Sequence, residues 1–212
     1  MEFALVNNQG SSAGAAATAR SSAGVESWLT KPAGAATVGN STSVAATTTG
    51  TTPGFASSVV PVPTDATLPG TLVIANLRAV IQSCWVAGGS PGIVMCNAKD
   101  KVTISGFVGI ATLYREAGTT SKGTAIVGAA DLFISDFGEH RIVPNRFQRA
   151  ATATAGSVVL VLDMDYWKVA YLTKVKQKEV GRTGAAERRL IDVNYCLVAA
   201  SPTSSGKISD II

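Results

Sequence analysis

The clearest helical pattern in the chain lies between residues 71 and 87. Apolar residues recur there at the spacing of a single helix face. They are Val73, Leu77, Val80, Ile81 and Cys84. Thr71 is placed to cap the first turn, and Gly88-Gly89 followed by Ser90-Pro91 ends the pattern. We predict a helix over residues 71–87 with one buried face.

Shorter patterns lie on either side of this helix. Residues 1–9 have the apolar spacing of the last turns of a helix. Ile93–Cys96 is apolar throughout, which predicts a short buried strand. Asn97 follows it and can cap a second helix that ends near Gly106.

Beyond residue 120 the pattern becomes that of β-strands. Residues 158–162 are all apolar, as in a strand covered on both faces. Residues 191–197 alternate apolar with polar, as in a half-buried strand. The other predicted strands are 124–135, 139–143 after the turn Asp136-Phe137-Gly138, and 167–172. A loop containing Gly181-Arg182-Thr183-Gly184 joins the predicted strand 167–172 to the predicted strand 191–197. The predicted fold class is α+β.

Residues 10–66 are dominated by Ala, Gly, Ser and Thr, a composition typical of linkers. Apolar residues interrupt this stretch at intervals. They are Val25, Trp28, Leu29, Phe55, Val59, Val60 and Val62. We therefore predict a long loop that is held to the core at these points.

Composition favours association with other chains. Hydrophobic residues make up 46% of the sequence and charged residues only 15%, against roughly 25% in ordinary soluble domains. Neutral surface of this kind is commonly buried between chains. The sequence shows neither a membrane span nor a signal peptide pattern, so no membrane partner is expected. Three widely spaced cysteines indicate reduced thiols and intracellular synthesis.

The net charge of +4 is unevenly distributed. Residues 141–189 contain ten basic and four acidic residues and so carry +6, while the rest of the chain carries −2. Such an excess indicates contact with phosphate or with acidic neighbours. A solvated strand face is the alternative, since exposed strands commonly carry Lys and Arg.

One enzyme signature occurs. Gly88–Gly92 fits the G-x-S-x-G pattern around Ser90, and Asp131, Asp136 and His140 follow in the order of a hydrolase triad. The nucleophile turn of such enzymes joins a strand to a helix, whereas here a helix precedes a strand. Pro91 also lacks the N–H that the oxyanion hole requires. The pattern is therefore interpreted as a turn, with no catalytic residue, cofactor or small-molecule substrate expected.

The remaining polar and aromatic candidates have structural explanations. Asp163 and Asp165 could hold a cation, but carboxylates at a strand end more often accept hydrogen bonds from turn N–H groups. His140 is interpreted as a surface or hydrogen-bonded hairpin residue, and no metal site is expected. The dispersed tryptophans and tyrosines are predicted to pack in the core.

Six segments in one order resemble a family of tailed-phage major capsid proteins. They are Gly24-Val25-Glu26-Ser27-Trp28-Leu29, Trp85-Val86-Ala87-Gly88-Gly89-Ser90-Pro91, Ile134-Ser135-Asp136-Phe137-Gly138, Val143-Pro144-Asn145-Arg146-Phe147, residues 162–172 and Gly206-Lys207-Ile208-Ser209-Asp210. The resemblance implies the Hong Kong 97 type fold. It assigns residues 20–140 to the axial domain, 141–212 to the β-rich part of the peripheral domain, and 1–19 to a linker and the end of the spine helix. It places the N-terminal arm, the extended loop and most of the spine helix before residue 1.

The resemblance also implies a function. The chain would be a major capsid (head) protein that assembles with itself into pentamers and hexamers of an icosahedral shell. The shell would enclose double-stranded DNA, touched non-specifically, and other head proteins would be partners. The protein would be made in the bacterial host cytoplasm and reside in the virion. The alternative is a DNA-binding or accessory virion structural protein that uses the basic segment.

The resemblance assigns the basic segment to contacts between subunits. Its charges lie on predicted strands and a loop, without a helix that could read a DNA groove. In the family, the β-rich domain lies where capsomers meet. The candidate contact residues are Arg146, Arg149, Arg182, Arg188 and Arg189.

Overall fold

A computed structural model describes most of the chain. The described residues are 1–7, 9–17, 19–29, 40–43, 70–107, 131–152, 156–184 and 186–212. The helices there are α1 (Glu2–Val6), α2 (Val25–Trp28), α3 (Ile74–Val86) and α4 (Ala98–Ser105). The strands are β1 (Asn40–Ser43), β2 (Ile93–Cys96), β3 (Leu132–Ser135), β4 (Gly138–Pro144), β5 (Ser157–Leu162), β6 (Trp167–Thr183), β7 (Ala186–Ala199) and β8 (Gly206–Ile211). The α+β class is confirmed.

Six strands form one mixed sheet in the order β1-β8-β5-β2-β4-β3. The pairs β1–β8 and β2–β4 are parallel, and the other pairs are antiparallel. The remaining two strands, β6 and β7, pair only with each other among the described residues. They form a long antiparallel ribbon, which follows β5 after a short helical turn at Met164–Tyr166.

β5 lies inside the mixed sheet, and its side chains alternate between two hydrophobic clusters. Val159 and Val161 pack with the buried face of α3. Leu160 packs with Leu29 and Trp167 on the other face. The prediction of an apolar strand covered on both faces is therefore confirmed. Of the first three predicted anchors, Val25 and Leu29 are buried and Trp28 is partly buried against the same cluster. The anchors from Phe55 to Val62 lie outside the described residues.

The main helix is confirmed, with two corrections at its start: Val73, predicted to be buried, is 45% exposed, and the predicted cap is misplaced. Leu77, Val80, Ile81 and Cys84 are buried as the stripe predicts. The helix begins at Ile74 after Val73, whose side chain gives no capping bond, so the predicted cap at Thr71 is wrong. Gly88 ends the helix in a left-handed conformation, with φ of 87°.

The second helix follows the sequence closely. The side chain of Asn97 accepts a hydrogen bond from the Asp100 N–H at 2.9 Å, and Gly106 ends α4. The predicted hairpin is present as β3 and β4, which turn through Asp136 and Phe137. Residues 124–130 of the strand predicted before it lie outside the described residues.

Two strands depart from the sequence prediction. β6 was predicted to end at Leu172, but it continues to Thr183, so that a turn at Gly184 replaces most of the predicted loop. The distal half of β6 is exposed and rich in lysine, so it lacks the apolar pattern of a covered strand. β8 was not predicted. It is buried at every residue although it contains Lys207, Ser209 and Asp210.

Candidate assembly surface

Ser90 and His140 do not form the pair that a hydrolase requires. The Ser90 N–H donates to a carboxylate oxygen of Asp163 at 2.9 Å. The imidazole of His140 is buried and occupied elsewhere, with Nδ1 2.5 Å from the Pro91 carbonyl oxygen and Nε2 2.7 Å from the Ser135 hydroxyl. Because a carbonyl only accepts, Nδ1 carries the proton and Nε2 accepts from Ser135. Residues 88–92 serve as the turn after α3.

The buried position of His140 predicts a pH dependence of stability. Burial lowers the pKa of this imidazole from its ordinary value of 6.5, and the Pro91 carbonyl opposes the shift in part. The unfolded chain therefore binds a proton at a higher pH than the folded chain does. We expect the contribution of His140 to stability to be complete above pH 6.5 and to be lost as pH falls through the lowered native pKa.

Urea unfolding at successive pH values from neutral to mildly acidic measures this effect. His140→Gln is the matched control, since His140 is the only histidine in the chain. The variant should lose the pH dependence in this range even if it is less stable throughout. If the free energy of unfolding changed equally with pH in both proteins, the pH dependence would not arise from His140.

The acidic pair near residue 164 has the structural role predicted for it. One Asp163 carboxylate oxygen accepts from the Asp165 N–H at 3.4 Å, and the other accepts from Ser90. Within the described part of the chain, no group of three His, Cys, Asp or Glu side chains could hold a metal ion. Asp163 therefore ties the turn after α3 to the end of β5.

All three cysteines are free thiols. Cys84 and Cys96 are buried, and burial raises the pKa of Cys96 to about 11, so its thiol stays protonated at neutral pH. Cys196, on the ribbon, is exposed.

A buried ionic cluster joins distant parts of the chain. The carboxylate of Glu26, only 2% exposed, lies 3.0 Å from the Arg149 guanidinium and 3.9 Å from the Lys207 ammonium. Lys207 also approaches the Glu26 carbonyl oxygen at 3.4 Å. The side-chain oxygen of Asn7 accepts from the Arg149 N–H at 2.9 Å. Arg149, a candidate contact residue, is thus engaged inside its own chain.

The ribbon is the largest uncovered element among the described residues. Its strands carry seven basic and three acidic residues, a net charge of +4. Large apolar side chains are also exposed along it. They are Val169, Tyr171, Leu172, Val175, Val180, Leu190, Ile191 and Val198. Leu172 is 90% exposed and Ile191 is 71% exposed. Exposed apolar side chains of this size, mixed with charge, are typical of a surface that another chain covers.

The base of the ribbon rests on the N-terminal segment. The Leu197 N–H donates to the Ser22 hydroxyl at 3.0 Å, and Leu197 and Ala199 pack beside the cluster around Leu160. An open groove of about 910 Å³ lies between this segment and the ribbon, lined in part by Tyr171 and Tyr195. The base is therefore fixed while the far end remains exposed.

The candidate contact arginines fall in different places. Arg188 and Arg189 are exposed on β7 near the turn of the ribbon, opposite Val180 and Glu179, and Arg182 lies nearer the turn on β6. Arg146 is exposed in the segment after β4 and is not part of the ribbon strands. The sequence missed the apolar part of the surface, although the run Leu190-Ile191 beside two arginines was a usable signal.

A second exposed apolar area lies at the end of α3. Trp85 is 55% exposed, and its ring centroid is 5.3 Å from that of Phe137. Val86 and Ile134 are also exposed. The prediction that the aromatic residues pack in the core is therefore wrong for Trp85 and Tyr171, and it is right for Trp167.

Comparison with known proteins fits this picture of a chain with large uncovered surfaces. No helix among the described residues is both long and apolar enough to span a membrane. No curated protein matches the chain. A family model described as SU10 major capsid protein matches residues 1–211, nearly the whole sequence. The chain therefore belongs to the SU10 major capsid protein family and is a major capsid protein of a phage.

Proposed function

We propose that the chain forms the capsomers of an icosahedral, Hong Kong 97 type shell of a tailed phage. In this proposal residues 20–140 form the axial domain, residues 141–212 form the β-rich part of the peripheral domain, and residues 1–19 form a linker and the end of the spine helix. The shell consists of pentamers and hexamers of this chain and encloses double-stranded DNA. The protein is made in the host cytoplasm before it enters the virion.

The ribbon is the observation that carries this proposal. A two-stranded ribbon on its own is only marginally stable in water. Here the strands are 17 and 14 residues long, and apolar side chains are exposed along both of them. A neighbouring subunit that covers the ribbon removes this apolar surface from water. Because the same contact recurs at every subunit, weak individual contacts suffice to hold a shell.

The basic residues of the ribbon are proposed to select where neighbours bind. Arg182, Arg188 and Arg189 lie toward the turn of the ribbon, where acidic groups of a neighbour can approach them. Arg146 is proposed as a further contact. Arg149 contributes indirectly, because its pairing with Glu26 fixes the segment on which the ribbon rests.

Reversal of charge near the turn should impair assembly without unfolding the chain. We expect Arg182→Glu combined with Arg188→Glu to weaken the subunit contact about tenfold in its dissociation constant, the change that about 1.4 kcal/mol produces, and so to lower the assembled fraction. Sedimentation velocity and negative-stain microscopy measure assembly, and circular dichroism monitors the fold. Arg78→Glu combined with Lys99→Glu is the control, since both are exposed cations on helices. Unchanged assembly in the first variant would reject the proposed contacts.

The basic segment also supports a second candidate, direct binding of DNA. Its charge of +6 over residues 141–189 would attract phosphates. A protein that binds DNA in this way loses affinity steeply as salt rises. Titration of free duplex DNA at increasing salt separates the candidates, because steep dependence together with an absence of particles favours the DNA-binding protein.

A further inference from the structure

The two strands of the ribbon differ in the regularity of their free edges. At each of three register shifts β6 has one residue more than β7. The shifts lie between Tyr171 and Thr173, between Thr173 and Lys176, and between Val180 and Thr183. Inserted residues and lysines both protect an edge from pairing, and β6 has both. β7 has no inserted residue, and no third strand among the described residues pairs with it.

We propose that the free edge of β7 pairs with the same edge of a second copy of this chain. The two β7 strands run antiparallel across a two-fold axis, so that two ribbons become one four-stranded sheet. This inference rests on the proposed function, since it names the partner and the geometry of one subunit contact. A two-fold contact uses one patch twice, so the patch must be complementary to itself.

The charges on β7 fix the register of this pairing. Arg188, Leu190 and Asp192 alternate along the strand and lie on one face. When Leu190 faces Leu190 of the second copy, Arg188 faces Asp192 and Asp192 faces Arg188. Both flanking pairs are then of opposite charge, which stabilises neighbouring strands.

The adjacent registers are less favourable. A register centred one residue earlier places Arg189 opposite itself, and like charges directly opposite are destabilising. A register centred one residue later pairs Ile191 with itself and leaves Arg188 and Asp192 without opposite charges across the axis. The register centred on Leu190 therefore combines two favourable charge pairs with an apolar centre. Arg188, Leu190 and Ile191 are all exposed in the single chain, as this contact requires.

Mixing two charge-reversed chains tests the register. In the proposed register, residue 188 of one copy faces residue 192 of the other. Arg188→Asp alone therefore places two carboxylates opposite each other, and Asp192→Arg alone places two guanidinium groups opposite each other. Each variant should lose the two-fold contact and assemble poorly by sedimentation velocity. An equal mixture of the two should recover assembly, since each strand now meets its complement. A folding defect in either chain would not be repaired by mixing, so recovery identifies the contact itself.

A disulfide at the axis provides an independent test. In an antiparallel pair, directly opposite Cα atoms are about 4.5–5.5 Å apart, within the range that a disulfide spans. In a Cys196→Ser background, Leu190→Cys should therefore give a covalent dimer on oxidation. Ile191→Cys in the same background is the control, because its copy lies diagonally across the axis and out of reach.

The outcomes distinguish this contact from the proposed function. If native chains assemble but Leu190→Cys gives no more dimer than Ile191→Cys, the two-fold pairing is wrong and the capsomer proposal stands. If both single reversals assemble like the native chain, the pairing is wrong as well. A native chain that remains monomeric and gives no cross-link overturns both.

Discussion

Replacing Glu26 by alanine is expected to lower the free energy of unfolding by about 3–5 kcal/mol, the usual cost of removing one partner from a buried ion pair. Glu26 lies between Arg149 and Lys207, and the side chains of both cations are largely buried. Without the carboxylate, two positive charges remain near each other with little access to water. The loss therefore exceeds the energy of the ion pair itself. Urea unfolding followed by tryptophan fluorescence measures it.

Asp131→Ala is the matched control for this prediction. Asp131 lies 2.9 Å from the Lys101 ammonium, a separation close to that between Glu26 and Arg149, but its side chain is 84% exposed. Exposed ion pairs contribute little to stability, since water already solvates both groups. If the two variants lose similar stability, the burial of Glu26 does not make its removal more costly than that of an exposed carboxylate.

The same cluster shows why part of the fold could not be predicted from the sequence. The sequence of β8 does not have the pattern of a buried strand, because it contains Lys207, Ser209 and Asp210. Lys207 is tolerated in the sheet because Glu26, 181 positions earlier, lies beside it. The Ser209 hydroxyl donates to the Asp210 carboxylate at 2.9 Å. Such pairings depend on long-range contacts, whereas strand patterns report only local alternation.

The elements that were predicted correctly share a simple property. α3 and β5 bury apolar residues at the spacing of their own geometry, so burial and sequence pattern coincide. The ribbon lacks this property toward its turn, where both faces are exposed and no alternation is imposed. For this reason the sequence predicted only the proximal part of β6. The exposed apolar side chains of the assembly surface were therefore not predicted either.

The sequence was more informative about charge than about contact geometry. Its basic excess drew attention to Arg182, Arg188 and Arg189, because net charge needs no three-dimensional information, whereas their common place in the ribbon was seen only in the structure. It could not separate Arg149 from them, since the partner Glu26 lies 123 positions earlier in the chain. Residues that share a charge can therefore differ in role: some face the exterior and one stabilises the interior.

Leu160→Ala and Leu172→Ala are expected to have opposite consequences for folding and assembly. Leu160 is fully buried in β5 beside Leu29 and Trp167. Its truncation removes apolar contacts and leaves a cavity, which costs about 2–5 kcal/mol of unfolding free energy. Leu172, by contrast, is 90% exposed, so its truncation should change stability by less than about 0.5 kcal/mol.

The effects on assembly should be the reverse of the effects on stability: among folded chains, Leu172→Ala should be the more impaired variant. Under conditions where both chains are folded, Leu160→Ala should form particles normally, since no neighbour reaches that side chain. Leu172→Ala should assemble less, because a neighbour that covers the ribbon loses an apolar contact at every subunit. Urea unfolding measures the first effect, and light scattering of the folded proteins measures the second. Normal assembly of Leu172→Ala would show that this part of the ribbon remains uncovered in the shell, and it would restrict the subunit contacts to the β7 side.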